Sequence, residues 1–428
     1  MRAWWLVRVL VLAPLLARAA GADDPPNLLE LRSALKGTLL MTGAREVTLL
    51  TPDEVGAASF WRLRLEPRAF PWRWLTIFGA YEQRVRVASS SSALSSPGLP
   101  RADAAAPFRV VALEGSLSSG PSYSYWHEVD RLALSFHLPK VELTIGRQAL
   151  GWGRGMMFGA VDVFAPFTPL EVDREWRRGV DAVRLDVQVG PKVSVELVGV
   201  FGDHLERSAF AGRARGYLGP VDAEVVGGWR AKDWFVGVTA SASLFDAEIH
   251  GELAAFFLPE PWRYGGAFGN DRLVLKAVLG ASYQFAVGEG LTAVVEYHAS
   301  GFGLPFPVSA LDLASDAALQ TRFLRGDFQI LGRHVLAASV SYPVDLTLAA
   351  TLQVLVDPLD GSGVVAPTVS WDFAENVSLL AGGYVGWGAL PRALELRSQL
   401  GATPITVLVQ LRLYDQRSLP RRADPDAP

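Results

Sequence analysis

Hydrophobic residues alternate with polar ones along this chain, and the alternation restarts after each turn-rich gap. From Leu291 to Ser300, one parity holds Leu, Ala, Val, Tyr and Ala, while the other holds Thr, Val, Glu, His and Ser. Successive side chains of a β-strand point to opposite faces, so one face of this segment suits lipid and the other suits water. The pattern therefore favours strands that separate two environments.

The first 22 residues predict a cleavable secretory signal. Arg2 and Arg8 precede an apolar stretch over residues 9–17, and three small residues stand before Asp23. A membrane anchor is the alternative, but the apolar core is short, Pro14 interrupts it and no stop-transfer pattern follows. The chain is therefore expected to be exported.

Composition argues against membrane-spanning helices. Half of the residues are hydrophobic and the mean hydropathy is +0.21, yet no segment after the signal offers about 18 strongly apolar, uncharged residues. A soluble β-solenoid or a two-domain sandwich can share this composition, but alternating strands of about ten residues throughout the chain are typical of a barrel. We therefore predict an all-β fold, a transmembrane antiparallel up-and-down β-barrel.

Cysteine content and charge exclude several classes of protein. The chain has no cysteine, so disulfide bonds, thiolate metal sites and cysteine nucleophiles are excluded. Three of its 40 basic residues lie in the signal, and the remaining 37 face 44 acidic residues, a formal charge of about −7. This balance does not suggest nucleic-acid binding.

The alternation predicts about 17 strands, and a weak stretch at 209–218 can add one. Because bacterial single-chain barrels favour even strand numbers, we expect 16 or 18. The chain divides into a signal peptide at 1–22, a barrel at 23–415 and a polar tail at 416–428. Candidate strands lie near 33–41, 60–66, 75–87, 127–138, 140–148, 179–189, 192–202, 221–230, 234–245, 246–258, 272–286, 290–301, 331–342, 345–356, 363–373, 376–387 and 403–414.

Connections between these strands alternate loosely between tight turns and long loops. Outer-membrane barrels place short turns on the periplasmic side and long loops outside. The long candidates are residues 88–107, 151–178, 259–271, 302–329 and 388–403.

Charged residues fall on one parity of the candidate strands. Trp61 and Leu63, for example, alternate with Arg62 and Arg64. A charge is costly against lipid, so this parity is expected to face a water-filled lumen. The lumen candidates are Arg62, Arg64, Glu66, Glu82, Arg84, Arg86, Arg184, Asp186, Glu196, Glu224, Arg230, Glu248, Glu252, Lys276, Glu296 and Arg412.

Tryptophan is abundant, and two of the 13 lie in the signal. Several others lie at predicted strand ends, where aromatic girdles mark the membrane interfaces. The alternative is that some line the lumen and stack on sugar rings. The girdle candidates are Trp72, Trp126, Trp229, Trp234, Trp262 and Trp387.

One segment departs from simple alternation. It reads LTIGRQALGWGRG at 143–155, VDVFAPF at 161–167 and RGVDAVR at 178–184. This order of strand, Gly-Arg-Gln, Trp-Gly, long loop and Asp-Ala-Val-Arg strand resembles porin-like outer-membrane barrels, including alginate-export-like channels. The resemblance covers about a tenth of the chain and implies a channel. Two features depart from it: Trp152-Gly153-Arg154 stands where alginate-export-like channels have Tyr-Gly-Asp, and the chain continues past its last strand.

The connection at 151–178 is long enough to suggest a function. Glycines near its start permit tight turns, and Pro166 and Pro169 keep the rest irregular. Connections of about 25 residues are unusual unless functional. We expect this loop to fold inward or over the mouth as a constriction, with Arg147, Arg154, Arg177, Arg178 and Arg184 near Asp162, Asp173, Glu175 and Asp181.

The residues predicted to line the pore or its constriction come from both the wall and this loop. They are Arg62, Arg64, Arg84, Arg86, Arg147, Gln148, Trp152, Arg154, Asp162, Arg178, Asp181, Arg184 and Glu296. The alternative is that Arg147, Gln148, Asp181 and Arg184 form a buried network that braces the wall. Arg147 falls on the apolar parity of its strand, which indicates a position beyond the membrane band or at a bulge.

Residue types that carry catalysis or bind metals are scattered. The six histidines show neither a metal-ligand doublet nor an H-E-x-x-H pattern. Ser300 follows His298 by two residues, but no third, orienting group is evident. Residues 357–361 fit a plain turn better than a calcium loop. We therefore predict no catalytic residue, no metal site, no cofactor and no enzymatic activity.

Together these patterns predict an outer-membrane channel that passes small polar or anionic solutes by passive diffusion. Its expected partners are outer-membrane lipid and a small polar solute, with no nucleic acid, and a homo-oligomer is left open. The arginine-rich segment favours anions or acidic saccharides. Two alternatives are a plugged barrel that docks another protein through its long loops and a barrel hydrolase acting through Ser300.

Overall fold

The computed structural model describes residues 27–46, 54–89 and 108–420. The predicted signal at 1–22, most of the predicted loop at 88–107 and the last eight residues lie outside the described part of the chain. All structural statements below concern the described residues.

Eighteen antiparallel strands form a closed barrel, which confirms the predicted fold class and strand number. Each wall strand pairs with the next one in sequence, and the first strand closes the barrel by pairing with both the second and the last. The wall strands are β1 (Asn27–Gly43), β2 (Val55–Trp72), β3 (Leu75–Ala88), β5 (Tyr123–Leu138), β6 (Val141–Ala149), β7 (Gly179–Gly190), β8 (Val193–Phe201), β9 (Ala209–Leu218), β10 (Val221–Arg230), β11 (Asp233–Leu244), β12 (Ala247–Phe257), β13 (Leu273–Phe285), β14 (Leu291–Ser300), β16 (His334–Pro343), β17 (Leu348–Val356), β18 (Gly363–Ala374), β19 (Val377–Trp387) and β21 (Ile405–Pro420).

The remaining elements belong to connections. β4 (Glu114–Gly120) pairs with the first part of β5, beyond the end of the short strand β6. β15 (Val308–Ser309) pairs with β20 (Glu395–Leu396), and α1 (Ala310–Ser315) and α2 (Ala317–Arg325) follow β15. A single 3₁₀ turn spans Leu205–Arg207. Neither described α-helix is long and apolar enough to cross a membrane.

Connections at the two ends of the barrel differ in length. Those at one end contain two to five residues, and we call it the short-turn end. Most connections at the other end are longer, including the loops predicted after β6, β12, β14 and β19. This asymmetry is typical of outer-membrane barrels, whose short turns are periplasmic. The last strand continues to Pro420, beyond the predicted barrel boundary at residue 415.

Apolar side chains cover the outer face of the wall. Leu39 is 58% exposed, Leu279 is 63% exposed and Val407 is 61% exposed. Such a continuous apolar surface is costly in water and favourable against hydrocarbon, as a transmembrane barrel requires. The alternation therefore places every second residue of these strands on the lipid side.

Several aromatic residues lie at strand ends on this outer face. Trp72 stacks on Trp74 at the short-turn end with ring centroids 5.2 Å apart. Trp234 and Trp387 are exposed at the opposite end. The girdle assignment is wrong for Trp262, because its side chain is buried inside the barrel, where it packs against Phe302 and Phe328. Trp126 shares the inward parity of Glu128 and Asp130 in β5.

Candidate functional site

The connection from β6 to β7, residues 150–178, lies inside the barrel, and we call it the inner loop. Its first part contacts β8, β10 and β11, and its middle contacts β12 and β14. Its last part contacts β17, β19, β1 and β2 before the chain re-enters the wall. The inner loop therefore touches most of the circumference of the lumen.

Apolar residues of the inner loop pack into a core within the lumen. Trp152 and Phe164 meet edge to face with ring centroids 5.0 Å apart, and Phe158 stacks on His298 at 4.8 Å. Val161 is fully buried and joins the same core as Phe256 of the wall. Burial of an apolar side chain of this size stabilises the folded state by about 1.5–3 kcal/mol relative to leaving it exposed. This packing fixes the inner loop against the β8–β14 side of the wall.

Glu252 of β12 holds the backbone of the inner loop. Its Oε1 accepts hydrogen bonds from the N–H groups of Arg154 and of Gly155, the latter at 2.8 Å. Its Oε2 accepts from the N–H groups of Ala160 at 2.6 Å and Val161 at 3.2 Å. One buried carboxylate therefore satisfies four backbone donors.

Glu296 of β14 does the same for the next stretch. Its carboxylate accepts from the N–H groups of Met156, Met157 and Phe158 at 2.5, 2.9 and 3.0 Å. His250 of β12 lies 2.8 Å from the same carboxylate through Nε2. Buried N–H groups need partners, and this part of the loop has no helix or strand to supply them. The carboxylates of Glu252 and Glu296 therefore supply the hydrogen-bond acceptors that a helix or strand would otherwise provide.

A tight turn at Gly155 makes this arrangement sensitive to a single methyl group. A Cβ at Gly155 would lie 1.7 Å from the carbonyl oxygen of Phe158. We expect Gly155→Ala to displace the N–H groups from Glu252 and Glu296 and to make Arg154 and Arg174 accessible to trypsin. The measurement is the rate of tryptic cleavage within residues 150–178 of the folded protein.

Gly190→Ala is the matched control, because nothing lies within 4 Å of a Cβ at that position. It should leave the cleavage rate of the native protein unchanged. Equal cleavage in the two variants would contradict the tight hold on the inner loop.

The last part of the inner loop binds basic residues of β1 and β2. Asp173 lies 2.7 Å from Lys36 Nζ and 3.1 Å from an Nη of Arg62. The ring of Trp176 lies 3.8 Å below Lys36 Nζ and 4.8 Å from the Arg62 guanidinium carbon. Cation–π contacts of this kind contribute about 0.5–2 kcal/mol when desolvated. They anchor the loop opposite Glu252 and Glu296.

Glu82 of β3 is the centre of a buried charge cluster on the inner wall. Its carboxylate pairs with Arg62 at 2.7 Å, with Arg84 at 3.0 Å and with Arg64. Arg64 also lies 2.9 Å from Asp130. We call these five residues the inner-wall charge cluster, and all of them are at most 6% exposed. Each guanidinium is neutralised by a carboxylate of this cluster or of the inner loop.

A second charge cluster anchors the connection between β14 and β16. Asp327 pairs with Arg230 of β10 at 2.5 Å and with Arg325 at 2.6 Å. Asp233 of β11 pairs with Arg325 at 2.7 Å and with Arg322 at 2.9 Å. Burial alone would raise the pKa of Asp327, but the guanidinium groups of Arg230 and Arg325 hold it well below its usual range. These pairs hold the end of α2 against the mouth of the barrel.

Several other predicted residues of the inner loop and of β7 pair with acidic residues, some of which were not their expected partners. Arg177 pairs with Asp162 as expected, and burial raises the pKa of Asp162 against the effect of that guanidinium. Arg154 instead pairs with Asp222 at 2.7 Å and Glu224 at 3.1 Å. Three other predicted residues also have partners: Arg184 with Asp186 and Glu196, Arg178 with Glu128, and Trp152 with Glu196 through its indole N–H.

Arg147 and Asp181 lie on the outer parity of the wall. They face each other across β6 and β7, in line with the exposed Val183, and are joined at 2.7 Å. Arg147 also donates to the carbonyl of Val111 at 2.5 Å, in the segment that leads to β4. Gln148 donates to backbone carbonyls of β6 and β7. These contacts join the end of β6 to β7 and to the segment that precedes β4.

The inner face of β16–β18 differs from the arginine-rich side. Apart from Asp372 near the end of β18, its inward residues near the short-turn end are uncharged and partly exposed, with Ser341 and Thr351 sharing a hydrogen bond of 3.0 Å. The lumen therefore combines a charged arc over β1–β14 with a hydroxyl-rich arc over β16–β18. The members of this arc are Ser339, Ser341, Thr351, Gln353, Thr368 and Ser370.

Sequence reasoning missed several residues that position the inner loop. Lys36, Asp130 and Tyr384 were not among the candidates, although all three lie in predicted strands. The Tyr384 hydroxyl donates to the carbonyl of Leu170 at 2.8 Å. The parity of Lys36 in its strand could have predicted that its side chain faces the lumen. Nothing in the sequence indicates which loop carbonyl the Tyr384 hydroxyl contacts.

The Ser300 and His298 side chains share the inner face of β14 but make no hydrogen bond to each other. Ser300 Oγ and His298 Nδ1 both lack a hydrogen-bond partner among the described residues. Within the same residues no group of three or more His, Asp or Glu is arranged to hold a metal ion.

Solved structures of outer-membrane porins share this fold over nearly the whole chain. OccAB1 of Acinetobacter baumannii is 10% identical with a TM-score of 0.55, covering 94% of this chain and 99% of that one. OpdQ of Pseudomonas aeruginosa is 9% identical with a TM-score of 0.54, covering 92% and 99%. A BenF-like porin of Pseudomonas fluorescens Pf-5 is 9% identical with a TM-score of 0.51, covering 91% and 99%. The sequence matches no protein-family profile, and no curated protein is similar to it.

Proposed function

We propose that this protein is a porin-like channel of the outer membrane that passes small polar or anionic solutes by passive diffusion. The observation that carries the proposal is a closed barrel with an apolar outer face and a charged inner wall, narrowed by a loop that wall carboxylates hold in the lumen. A charged lumen lowers the barrier to polar solutes that the bilayer itself excludes. The porin fold of the compared structures agrees with this function.

The charges of the lumen support the preference for anions. Basic residues of the inner loop and wall, including Arg177, Arg178 and Arg184, keep 23–31% of their side chains exposed. The Gly146-Arg147-Gln148 motif resembles alginate-export-like channels, and acidic saccharides are therefore the solutes we propose to test first. The hydroxyl-rich arc supplies donors and acceptors for their sugar hydroxyls.

The test is single-channel current from the refolded protein without residues 1–22 in a planar bilayer. We expect discrete current steps, a reversal potential that favours anions in a salt gradient, and block by uronic acids at lower concentrations than by neutral hexoses. Equal block by both solutes would contradict the anion preference. Currents that never appear from a correctly folded barrel would contradict the channel.

A plugged barrel with a docking role is the second candidate. The buried core formed by the inner loop and the β14–β16 connection inside the lumen favours it. A folded barrel that stays silent in the bilayer, even after the inner loop is shortened, would support this reading over the channel.

A further inference from the structure

A cavity of about 370 Å³ opens in the lumen at the short-turn end, against the inner face of β5–β9. We call it the vestibule cavity. Its volume lies within the range of pockets that hold small ligands. Unlike the inner-wall charge cluster, it is lined mainly by charged side chains that solvent reaches, Glu142, Asp186, Arg213 and Arg215, together with the buried Glu196 and with Lys140 of the turn between β5 and β6.

The acidic residues of the vestibule cavity stand side by side. Glu142 pairs in register with Asp186 of β7, and Asp186 pairs in register with Glu196 of β8. Like charges placed directly opposite each other on neighbouring strands repel. The next residue of the row is Arg213 of β9, opposite Glu196. The row therefore has a negative end and a positive end.

Ion pairs within the wall neutralise the middle of this row but not its negative end. Arg184 lies 2.7 Å from Asp186 and 3.2 Å from Glu196, and Arg213 lies 2.9 Å from Glu196. Glu142 is 44% exposed, and its nearest basic group is His137 at 3.5 Å.

The positive end offers guanidinium groups to solvent. The side chains of Arg213 and Arg215 are 21% and 39% exposed. Each has a carboxylate partner, at 2.9 Å for Arg213 and at 2.6 Å for Arg215 with Asp222. Glu224 is a second, more distant partner, at 3.5 Å from Arg213 and 3.7 Å from Arg215. A guanidinium has five N–H donors, so donors remain for a solute carboxylate. The positive end can therefore bind a solute carboxylate without losing its wall partner.

We propose that the vestibule cavity binds a zwitterionic solute whose ammonium and carboxylate groups are well separated. The ammonium group binds Glu142, and the carboxylate binds Arg213 and Arg215. The Arg213 guanidinium lies 2.9 Å from Glu196, and Glu196 lies two strands from Glu142, or roughly 10 Å at the usual strand spacing. This distance fits an ω-amino acid or a short peptide and is too long for an α-amino acid.

This inference deepens the proposed function and rests on it for the passage of the bound solute. The test is isothermal titration of the refolded protein in detergent, which needs no current. The probe is 6-aminohexanoate, compared with N-acetyl-6-aminohexanoate, which lacks the ammonium charge, and 6-aminohexanamide, which lacks the carboxylate. We expect each modified compound to bind about tenfold more weakly or worse, as the loss of a charged hydrogen bond implies.

The matched pair of variants is Glu142→Gln and Glu248→Gln. Glu248 is also exposed, on the inward parity of β12 at the same end of the barrel, but does not line the vestibule cavity. We expect Glu142→Gln to weaken 6-aminohexanoate binding about tenfold and to leave the weak binding of the N-acetyl compound unchanged. Glu248→Gln should match the native protein.

Two results would overturn the inference: equal binding of all three compounds, or equal losses in the two variants. Binding by a protein that carries no current would refute the channel and leave the vestibule cavity standing. A conducting protein that does not distinguish the three compounds would refute the vestibule cavity alone.

Discussion

Deletion of residues 156–171 is expected to raise the single-channel conductance several-fold. The deleted stretch contains Phe158, Val161 and Phe164, which belong to the core inside the lumen. It also contains most of the backbone donors held by Glu252 and Glu296. Removing it replaces a packed apolar segment with water beside two carboxylates that have lost most of their backbone donors, and ions cross such a path more easily. The measurement is the step size of the current in a planar bilayer.

A second variant weakens the hold without shortening the loop. Replacing both Glu252 and Glu296 by Gln keeps the length and the apolar packing of the inner loop but removes the charged acceptors. Hydrogen bonds to charged groups are worth about 1.5–3 kcal/mol each, more than neutral ones. We expect a current that fluctuates between the native level and a higher one. Native conductance in both variants would show that the inner loop does not restrict the pore.

The strand pattern was predictable because the two faces of this wall meet different environments. In β12 the inward parity carries Glu248, His250 and Glu252, and the outward parity carries Ile249 and Leu253. The contrast between a lipid-facing parity and a lumen-facing parity therefore identifies nearly every wall strand in the sequence. β4 was not predicted, because its sequence, EGSLSSG, has no parity that is consistently apolar. It pairs with β5 beyond the end of β6, where no alternation is needed.

The direction of a side chain was less predictable near a strand end. Gly146 has a φ of +124°, and Arg147 and Gln148 after it are both buried. Parity alone placed Arg147 among apolar residues, and the structure keeps it on the outer parity, covered by the segment before β4. No local pattern indicates that a segment some 36 residues away in sequence supplies that cover.

The contacts that fix the inner loop come from strands far away in sequence. Its length, glycines and prolines indicated an irregular, functional segment. Met156 meets Glu296 across 140 residues, and Leu170 meets Tyr384 across 214 residues. Parity could place Glu296 in the lumen, but the partner of a lumen carboxylate depends on how the loop crosses the barrel. The sequence therefore predicted candidate residues and left their pairing undetermined.

Glu82→Gln is expected to lower the free energy of unfolding of the barrel by about 3–5 kcal/mol. The native carboxylate is fully buried and neutralises Arg62, Arg64 and Arg84 at once. Glutamine has nearly the same shape but no charge, so the three buried guanidinium groups lose their shared carboxylate. They keep only their other partners, which are Asp173 for Arg62, Asp130 and Glu66 for Arg64, and Glu128 for Arg84. The cost of an uncompensated buried charge sets the size of the effect. The measurement is urea unfolding of the detergent-folded protein, followed by tryptophan fluorescence.

Glu66→Gln is the matched control, because it removes a carboxylate that pairs with Arg64 of the same cluster at a position where water can replace it. Glu66 lies 2.6 Å from Arg64, but its side chain is 21% exposed. We expect a loss of ~1 kcal/mol or less, as for other solvent-accessible ion pairs. Similar losses in the two variants would mean that water enters the inner-wall charge cluster and screens Glu82. In that case the charged arc would be part of an open aqueous lumen, and the constriction would have to lie elsewhere in the barrel.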